Sequence, residues 1–389
     1  MRQVADPQRP KAVIQSTVFL PYDISRGLHP VGGCGRYLRD LGRLFDELGY
    51  RVVYLQKAKR DFVMEYDGWA EVRGVASPAR AYGDLVFARR CYDLTHDAQV
   101  VCYGNLEDCY PFVRRNSFAV QHGIWWDKPM PFWKRRIQDA RVRFAASRVA
   151  FVVCVDTNFA NWYRTKWPSD KDVLRRLHYV PNYADTEVFK PGRAEGGRPL
   201  LLFPRRFEPK RGYEVFIEMC YRLRALGHDF DVAILGSGPY ESEVRRLVSE
   251  KLGASVRVEY ADFESIALYY RRAYLTFIPT LWSEGTSLSA VEAICSGCPV
   301  VCSDVGGLAN VIIPGFTGEV CPPSVDAFVR CTSRLLSNPT LREQMSRNCL
   351  SLRDALGMHR WKERIKDLMA VYLGQPVRRS DYSAVESAR

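Results

Sequence analysis

The chain has 389 residues, 47% hydrophobic, 12% aromatic and 26% charged; this is material for two cores and excludes a disordered polymer. No apolar run approaches the ~18 residues of a spanning helix, and MRQVADPQRPK lacks the apolar segment and cleavage site of a secretory signal, so a cytoplasmic protein is expected. The net charge of +12 is uneven: residues 1–180 hold 29 Lys+Arg against 19 Asp+Glu, the remainder 27 against 25, which predicts an anionic partner for the first half.

In chain order, Ala12–Leu20 reads as a strand and Gly35–Leu48 as a helix, with Leu38, Leu41, Leu44, Phe45 and Leu48 on one face. Strands follow at Arg51–Gln56, Gln99–Tyr103, Phe118–Gln121, Val149–Val155 and Leu177–Val180. The Pro-, Gly- and charge-rich stretch Pro181–Pro199 reads as a linker. A second series opens with Leu200–Phe203 and continues at Asp231–Leu235, Val256–Glu259, Leu275–Pro279 and Pro299–Ser303. Such alternation predicts two α/β domains built on parallel sheets, with ligands in the cleft beyond the strand carboxyl ends. The expected division is 1–185, 186–358, a closing helix over 359–375 and a loose polar tail over 376–389.

The densest motif is LWSEGTSLSAVEAICSGCPVVCSDVGGL, residues 281–308. A Gly-containing turn opens a helix over Leu288–Cys295, an arrangement that suits phosphate. Glu284 precedes that helix and Glu292 lies eight residues on; capping for the first and a solvated position for the second are the plain alternatives. Cys295 and Cys298 form a lone C-x-x-C with no second pair for zinc, and the twelve cysteines fit free thiols. Asp229-Phe230-Asp231 is a D-x-D, but it precedes a strand, at the sheet end away from the expected site. The basic, aromatic stretch 131–148 reads as an amphipathic helix suited to an anionic membrane surface, or as a solvated face.

Glu284 and Glu292 resemble the E-x7-E signature of the retaining, nucleotide-sugar-dependent glycosyltransferases of GT-B-fold family 4. Other segments match in order over about Val13–Leu373: HPVGGCGRYLRDLGRLFDELGYRVVYL, Gln121-His122-Gly123, HYVPNYADTEVFKP, FPRRFEPKRG, LGSGP and the helix around Trp361. The resemblance implies two Rossmann-like domains facing across a cleft. It implies that Gly32 and Gly33 admit the donor diphosphate, that Arg205 and Lys210 neutralise the leaving group, and that Arg206 and Arg211 are the other possible pair of that run. Gly236 belongs to its Gly-rich turn. Glu284 would meet the transferred sugar, Gly285, Thr286, Ser287 and Leu288 would line sugar and phosphates, and Glu292 would hold the ribose.

His122 is implied beside sugar and acceptor, where Trp125 and Trp126 stack on a ring or merely pack. Thr286-Ser287 departs from the commoner E-G-F-G pattern and predicts a more polar pocket floor. Base contacts are expected near Val258–Asp262. The expected partners are a nucleotide-sugar donor, a glycan, lipid-linked or small-molecule acceptor and an anionic membrane surface, with no nucleic acid, no metal and no cofactor. Natural-product glycosylation, a glycogen-synthase-like or phosphorylase-like activity, and non-catalytic binding of an anionic polymer are the alternatives.

Overall fold

The computed structural model describes residues 8–21, 32–78, 82–124, 126, 130–192, 197–253 and 256–374. The expected tail, the loop before Gly32, Trp125 and Asp127 lie outside them.

The first sheet contains β1 (Lys11–Ser16), β2 (Arg51–Ala58), β3 (Phe62–Tyr66), β4 (Ala70–Ala76), β5 (Val100–Tyr103), β6 (Ser117–Gln121), β7 (Phe151–Cys154) and β8 (Leu177–Tyr179). Its order is β3-β4-β2-β1-β5-β6-β7-β8. The helices α1 (Gly32–Glu47), α2 (Gly83–Leu94), α3 (Phe132–Ala146), α4 (Thr157–Lys166) and the single turn α5 (Lys171–Leu174) connect it. Near-continuous burial of β1, β2, β5, β6 and β7 follows from helices covering both faces.

The second sheet contains β9 (Leu200–Pro204), β10 (Asp231–Leu235), β11 (Arg257–Glu259), β12 (Leu275–Ile278), β13 (Val300–Ser303) and β14 (Gly318–Cys321). They run parallel in the order β11-β10-β9-β12-β13-β14. The accompanying helices are α6 (Tyr213–Ala225), α7 (Glu241–Lys251), α8 (Phe263–Arg272), α9 (Leu288–Cys295), α10 (Val325–Leu336), α11 (Pro339–Ser351) and α12 (Met358–Leu373). In each sheet the strand order reverses direction beside the first strand: between β1 and β5, and between β9 and β12. Connections leave that point towards opposite faces, which opens a crevice at the carboxyl ends.

The last helix returns to the first domain. Trp361, Ile365 and Met369 of α12 join the core of the first sheet. The Trp361 indole N–H donates to Tyr37 Oη at 2.9 Å, and its ring stacks on Tyr183 with centroids 4.2 Å apart.

Three expectations need correction. The first strand stops at Ser16, because Phe19 and Leu20 are buried from a loop: Phe19 stacks on Tyr54 at 3.9 Å, and the Leu20 N–H donates to Gln56 Oε1. The first sheet is not wholly parallel, because β3 and β4 form an antiparallel hairpin. Its loop is Asp67-Gly68-Trp69, with Asp67 and Gly68 at positive φ and the Trp69 N–H donating to Tyr66 O at 3.2 Å. The edge strand β14 adds a sixth strand that the sequence reading does not contain.

Candidate active site

The crevice at the carboxyl ends of β9 and β12 faces the amino end of α1, and the space between holds a cavity of about 280 Å³. Gly32 and Gly33 form one wall; Arg205, Gly236, Ser287, Leu288 and Glu292 are on the opposite side. A second cavity of about 260 Å³ shares Gly33, Arg211, Glu284, Ser287 and Leu288 with the first and extends past His122 and Asn105. The two form one cleft with a helix amino end on each bank, so unpaired backbone N–H groups from both domains favour an anion there.

Arg205 leaves the end of β9 and is buried. Its guanidinium donates to Ser287 Oγ at 2.7 Å and to Thr280 Oγ1 at 3.4 Å, and it ion-pairs with Glu284. Arg211 ion-pairs with the same Glu284 oxygen. Thr280 Oγ1 donates to that carboxylate at 3.0 Å. Burial would push the Glu284 carboxyl up, but the two guanidiniums outweigh it and hold it below its ordinary value. Burial depresses Arg205. The other two cations of the run behave differently. Arg206 pairs with Glu208 at 2.8 Å with its side chain 48% exposed; Lys210 reaches Glu208 at 3.6 Å and is 39% exposed. Thus the geometry joins Arg205 to Arg211, where the expected pair was Arg205 and Lys210. Arg206 and Lys210 still border the cleft.

The bend after the arginine run depends on Gly212: at φ 75°, a Cβ there would lie 1.8 Å from the Pro279 carbonyl oxygen. A similar approach seats the Glu284 turn, because a Cβ on Gly306 would lie 2.0 Å from the Glu284 carbonyl oxygen, which also accepts from the Gly307 N–H. Ser283 and Ser287, at φ 52° and 39°, put two non-glycine residues of this turn in strained backbone regions.

Neither plain alternative for the two glutamates holds. Ser287 occupies the position before α9, and Glu284 is turned to the arginines rather than to the helix N–H groups. Glu292 is only 2% exposed. It accepts from Tyr270 Oη at 3.1 Å and ion-pairs with Arg36, which reaches across the cleft from α1. Burial works against the Arg36 charge, but Glu292 outweighs it and holds the guanidinium above its ordinary value.

Thr286 also departs from expectation. Its hydroxyl donates to Val155 O at 2.8 Å and accepts from the Asn182 N–H at 3.0 Å, so it ties the turn to the first domain instead of making the floor polar. Ser283 does the same through Ile124 O at 3.1 Å. Gly285 lies in the second cavity.

His122 follows β6 and borders the second cavity. Its ring meets Tyr37 edge-on at 5.1 Å, Nε2 has no hydrogen-bond partner, and burial pulls its pKa down to about 4. It is therefore a neutral imidazole, with one nitrogen free to donate or accept. Asp156 lies beside it at the end of β7, capping α4 through the Asn158 and Phe159 N–H groups. Burial pushes Asp156 up to about 6. Trp126 packs against Phe159 and Trp162 in the core rather than facing a sugar. Tyr260 and Ala261, within the stretch expected to meet the base, border the first cavity.

The remaining motifs separate from the site. Asp229 and Asp231 pair with Arg198 at 3.4 and 2.5 Å at the start of β10, away from the cleft. Cys295 and Cys298 are buried thiols. Among the described residues no group of three His, Cys, Asp or Glu side chains could hold a metal, and no helix is long and apolar enough to cross a membrane. The sequence reading missed Arg36, Tyr270, Asp156 and Gly306. Of these, Arg36 had a local signal: it lies three and four residues after the two glycines, on the same helix face.

Residues 185–350 match the family model described as glycosyl transferases group 1. The MMP α-(1→4)-mannosyltransferase of Mycolicibacterium hassiacum is 26% identical over 75% of this chain and 73% of its own. The GDP-mannose-dependent α-(1-6)-phosphatidylinositol monomannoside mannosyltransferase of Mycolicibacterium smegmatis is 28% identical over 54% of this chain and 57% of its own, so this chain spans little more than half of that relative. Among solved structures, sucrose-phosphate synthase from Thermosynechococcus elongatus superposes with a TM-score of 0.73 at 18% identity, covering 94% of this chain and 99% of that one.

Proposed function

We infer that this cleft moves a sugar from a nucleotide-diphosphate donor to an acceptor hydroxyl with retention of configuration; the match of residues 185–350 to the glycosyl transferases group 1 model and the GT-B fold support the reading. The observation that carries the assignment is the pairing of Arg205 and Arg211 on one carboxylate, beside the amino end of α9 and opposite that of α1. Two guanidiniums and two sets of backbone N–H groups match the charge and the fork geometry of a diphosphate. A diphosphate that takes both arginines releases the Glu284 carboxylate to accept hydrogen bonds from sugar hydroxyls. Donor binding thus changes the partners of Glu284 without changing its charge.

The same groups stabilise the leaving diphosphate as the glycosidic bond breaks, the electrostatic task of the reaction. No metal is needed in this scheme, since fixed cationic side chains and helix ends carry the charge. Glu292 would hold the ribose and Tyr260–Ala261 the base. Neutral His122 donates to a sugar hydroxyl or a phosphate oxygen. The acceptor proton passes to the departing phosphate on the same face of the sugar. Cleft closure accompanies donor binding.

The exposed Phe132, Trp133 and Ile137 on α3, together with the basic residues of that helix, support contact with an anionic membrane surface, and a lipid-linked acceptor would suit it. The test of the function is a nucleotide-sugar panel. One or two nucleoside diphosphates should raise the melting temperature, and the corresponding sugar should be released with diphosphate. No stabilisation by UDP, GDP or dTDP would refute the reading, and trapping a covalent glycosyl-enzyme would refute the same-face step.

A further inference from the structure

The first cavity of the cleft carries more positive charge than its glutamates balance: Arg36, Arg205, Arg206 and Arg211 line it against Glu284 and Glu292. Arg205 and Arg211 share Glu284, and Arg206 turns to Glu208. Of these four, Arg36 comes from the first domain and the others from the second. It follows Gly32 and Gly33 by four and three residues on α1, so it starts on their helix face, and helical side chains lean towards the amino end. The guanidinium nevertheless crosses to the second domain, where it ion-pairs with Glu292 and lies over the Phe263 ring of α8 at 5.3 Å.

That contact stands where a ribose would bind. Tyr270 Oη donates to Glu292 Oε2 at 3.1 Å, Arg36 donates to Oε1, and only 2% of the residue is exposed. Ribose hydroxyls therefore gain the carboxylate by displacing the guanidinium. A displaced Arg36 needs another anion, because burial works against its charge and Glu292 is the main support for it. Asp40, the other carboxylate near it, already accepts from Arg39 and from Tyr183 Oη. A nucleoside brings no anion. A nucleoside diphosphate brings one to the Gly32–Gly33 bank, the side towards which a helical side chain at position 36 leans.

We propose that Arg36 determines specificity for the donor: in the empty cleft it holds Glu292, and on binding it exchanges that carboxylate for a phosphate oxygen, so that ribose and diphosphate must arrive together. The proposal rests on the transferase reading above and adds to it a residue that tells a nucleoside diphosphate from a nucleoside. It also makes the contact between the domains ligand-dependent. Without donor the guanidinium bridges directly to Glu292; with donor it bridges through the phosphate to the second domain.

The experiment titrates the full chain with UDP, GDP or dTDP, whichever stabilises it, by calorimetry, and with the nucleoside of the same base by ligand-observed NMR. Arg36→Ala should bind the nucleoside about threefold or more tighter, because its ribose no longer competes with the guanidinium. The same variant should bind the diphosphate about tenfold or more weaker, having lost a charge-assisted hydrogen bond to phosphate. Arg36→Lys should fall between wild type and Arg36→Ala for the diphosphate, since its point charge still meets a phosphate oxygen. Thermal unfolding confirms that each variant is folded. A merely structural role would move both ligands in the same direction, and that result would overturn the proposal. So would an unchanged affinity for either ligand, nucleoside binding that stays undetectable in Arg36→Ala, or a diphosphate affinity no better in Arg36→Lys than in Arg36→Ala. No binding of any nucleoside diphosphate by the wild type would instead refute the transferase reading, and this proposal with it.

Discussion

The choice between Arg211 and Lys210 is the sharpest test of the diphosphate site, because the two residues are adjacent and carry the same charge. Arg211 Nη1 meets Glu284 within the cleft with its side chain 21% exposed, whereas Lys210 is 39% exposed and 3.6 Å from Glu208. An ion pair of the second kind contributes about 0–1 kcal/mol, so Lys210→Ala should change kcat by less than about fivefold. Removing a positioned charge that meets the departing group costs about 2.7–4 kcal/mol, or 100- to 1,000-fold in kcat, for Arg211→Ala. Arg205→Ala should lose at least as much, since Arg205 also holds Ser287 at the start of α9 at 2.7 Å. The assay is diphosphate release at saturating donor and acceptor, with thermal unfolding to confirm that each variant is folded. Glu284 retains one guanidinium and Thr280 in Arg211→Ala, so that variant should fold. A Lys210→Ala loss equal to or greater than that of Arg211→Ala would refute the argument.

Glu292→Gln should raise donor KM about tenfold or more while keeping the fold, and Arg36→Ala should loosen the contact between domains, seen as a larger radius of gyration in solution scattering. Asp156 is fully buried with its pKa raised above the unfolded value, so it destabilises the fold increasingly from about pH 4 and levels off above about pH 6. Asp156→Asn, which can still cap α4, should therefore gain on the wild type across that window, by up to about 3 kcal/mol in urea unfolding. A constant difference from pH 4 to 8 would count against it. Trp361→Ala should cost about 3–5 kcal/mol in the same assay, because α12 fastens to the first core through that indole. Replacing exposed Phe132 and Trp133 by serine should weaken flotation with anionic vesicles; equal flotation would remove the membrane contact.

What could be read in the chain beforehand was local. Eleven of the fourteen strands, all but β3, β4 and β14, the helix at Leu288–Cys295 and the glycines at its turn declare themselves through runs and spacings of a few residues. The hairpin through Asp67-Gly68-Trp69 is less legible: β3 is short and its Phe62-Val63-Met64 run hides the alternation, although burial along both strands does alternate. The partners of the site residues were not legible in this way. Glu292 and Arg36 are separated by 256 residues, and Thr286 meets Val155 across 131. Within Arg205–Arg211 the sequence gives four cations but not the direction in which each leaves the turn; that direction is set by Gly212 pressed against Pro279, a contact between separate loops. The cleft therefore depends on packing between loops rather than on any one motif. The same packing explains why its two glutamates differ: Glu284 is held by arginines of its own domain, whereas Glu292 is held by an arginine of the other, so on the proposed reading a ribose at Glu292 would have to displace a contact between the domains and a diphosphate at the arginines would not.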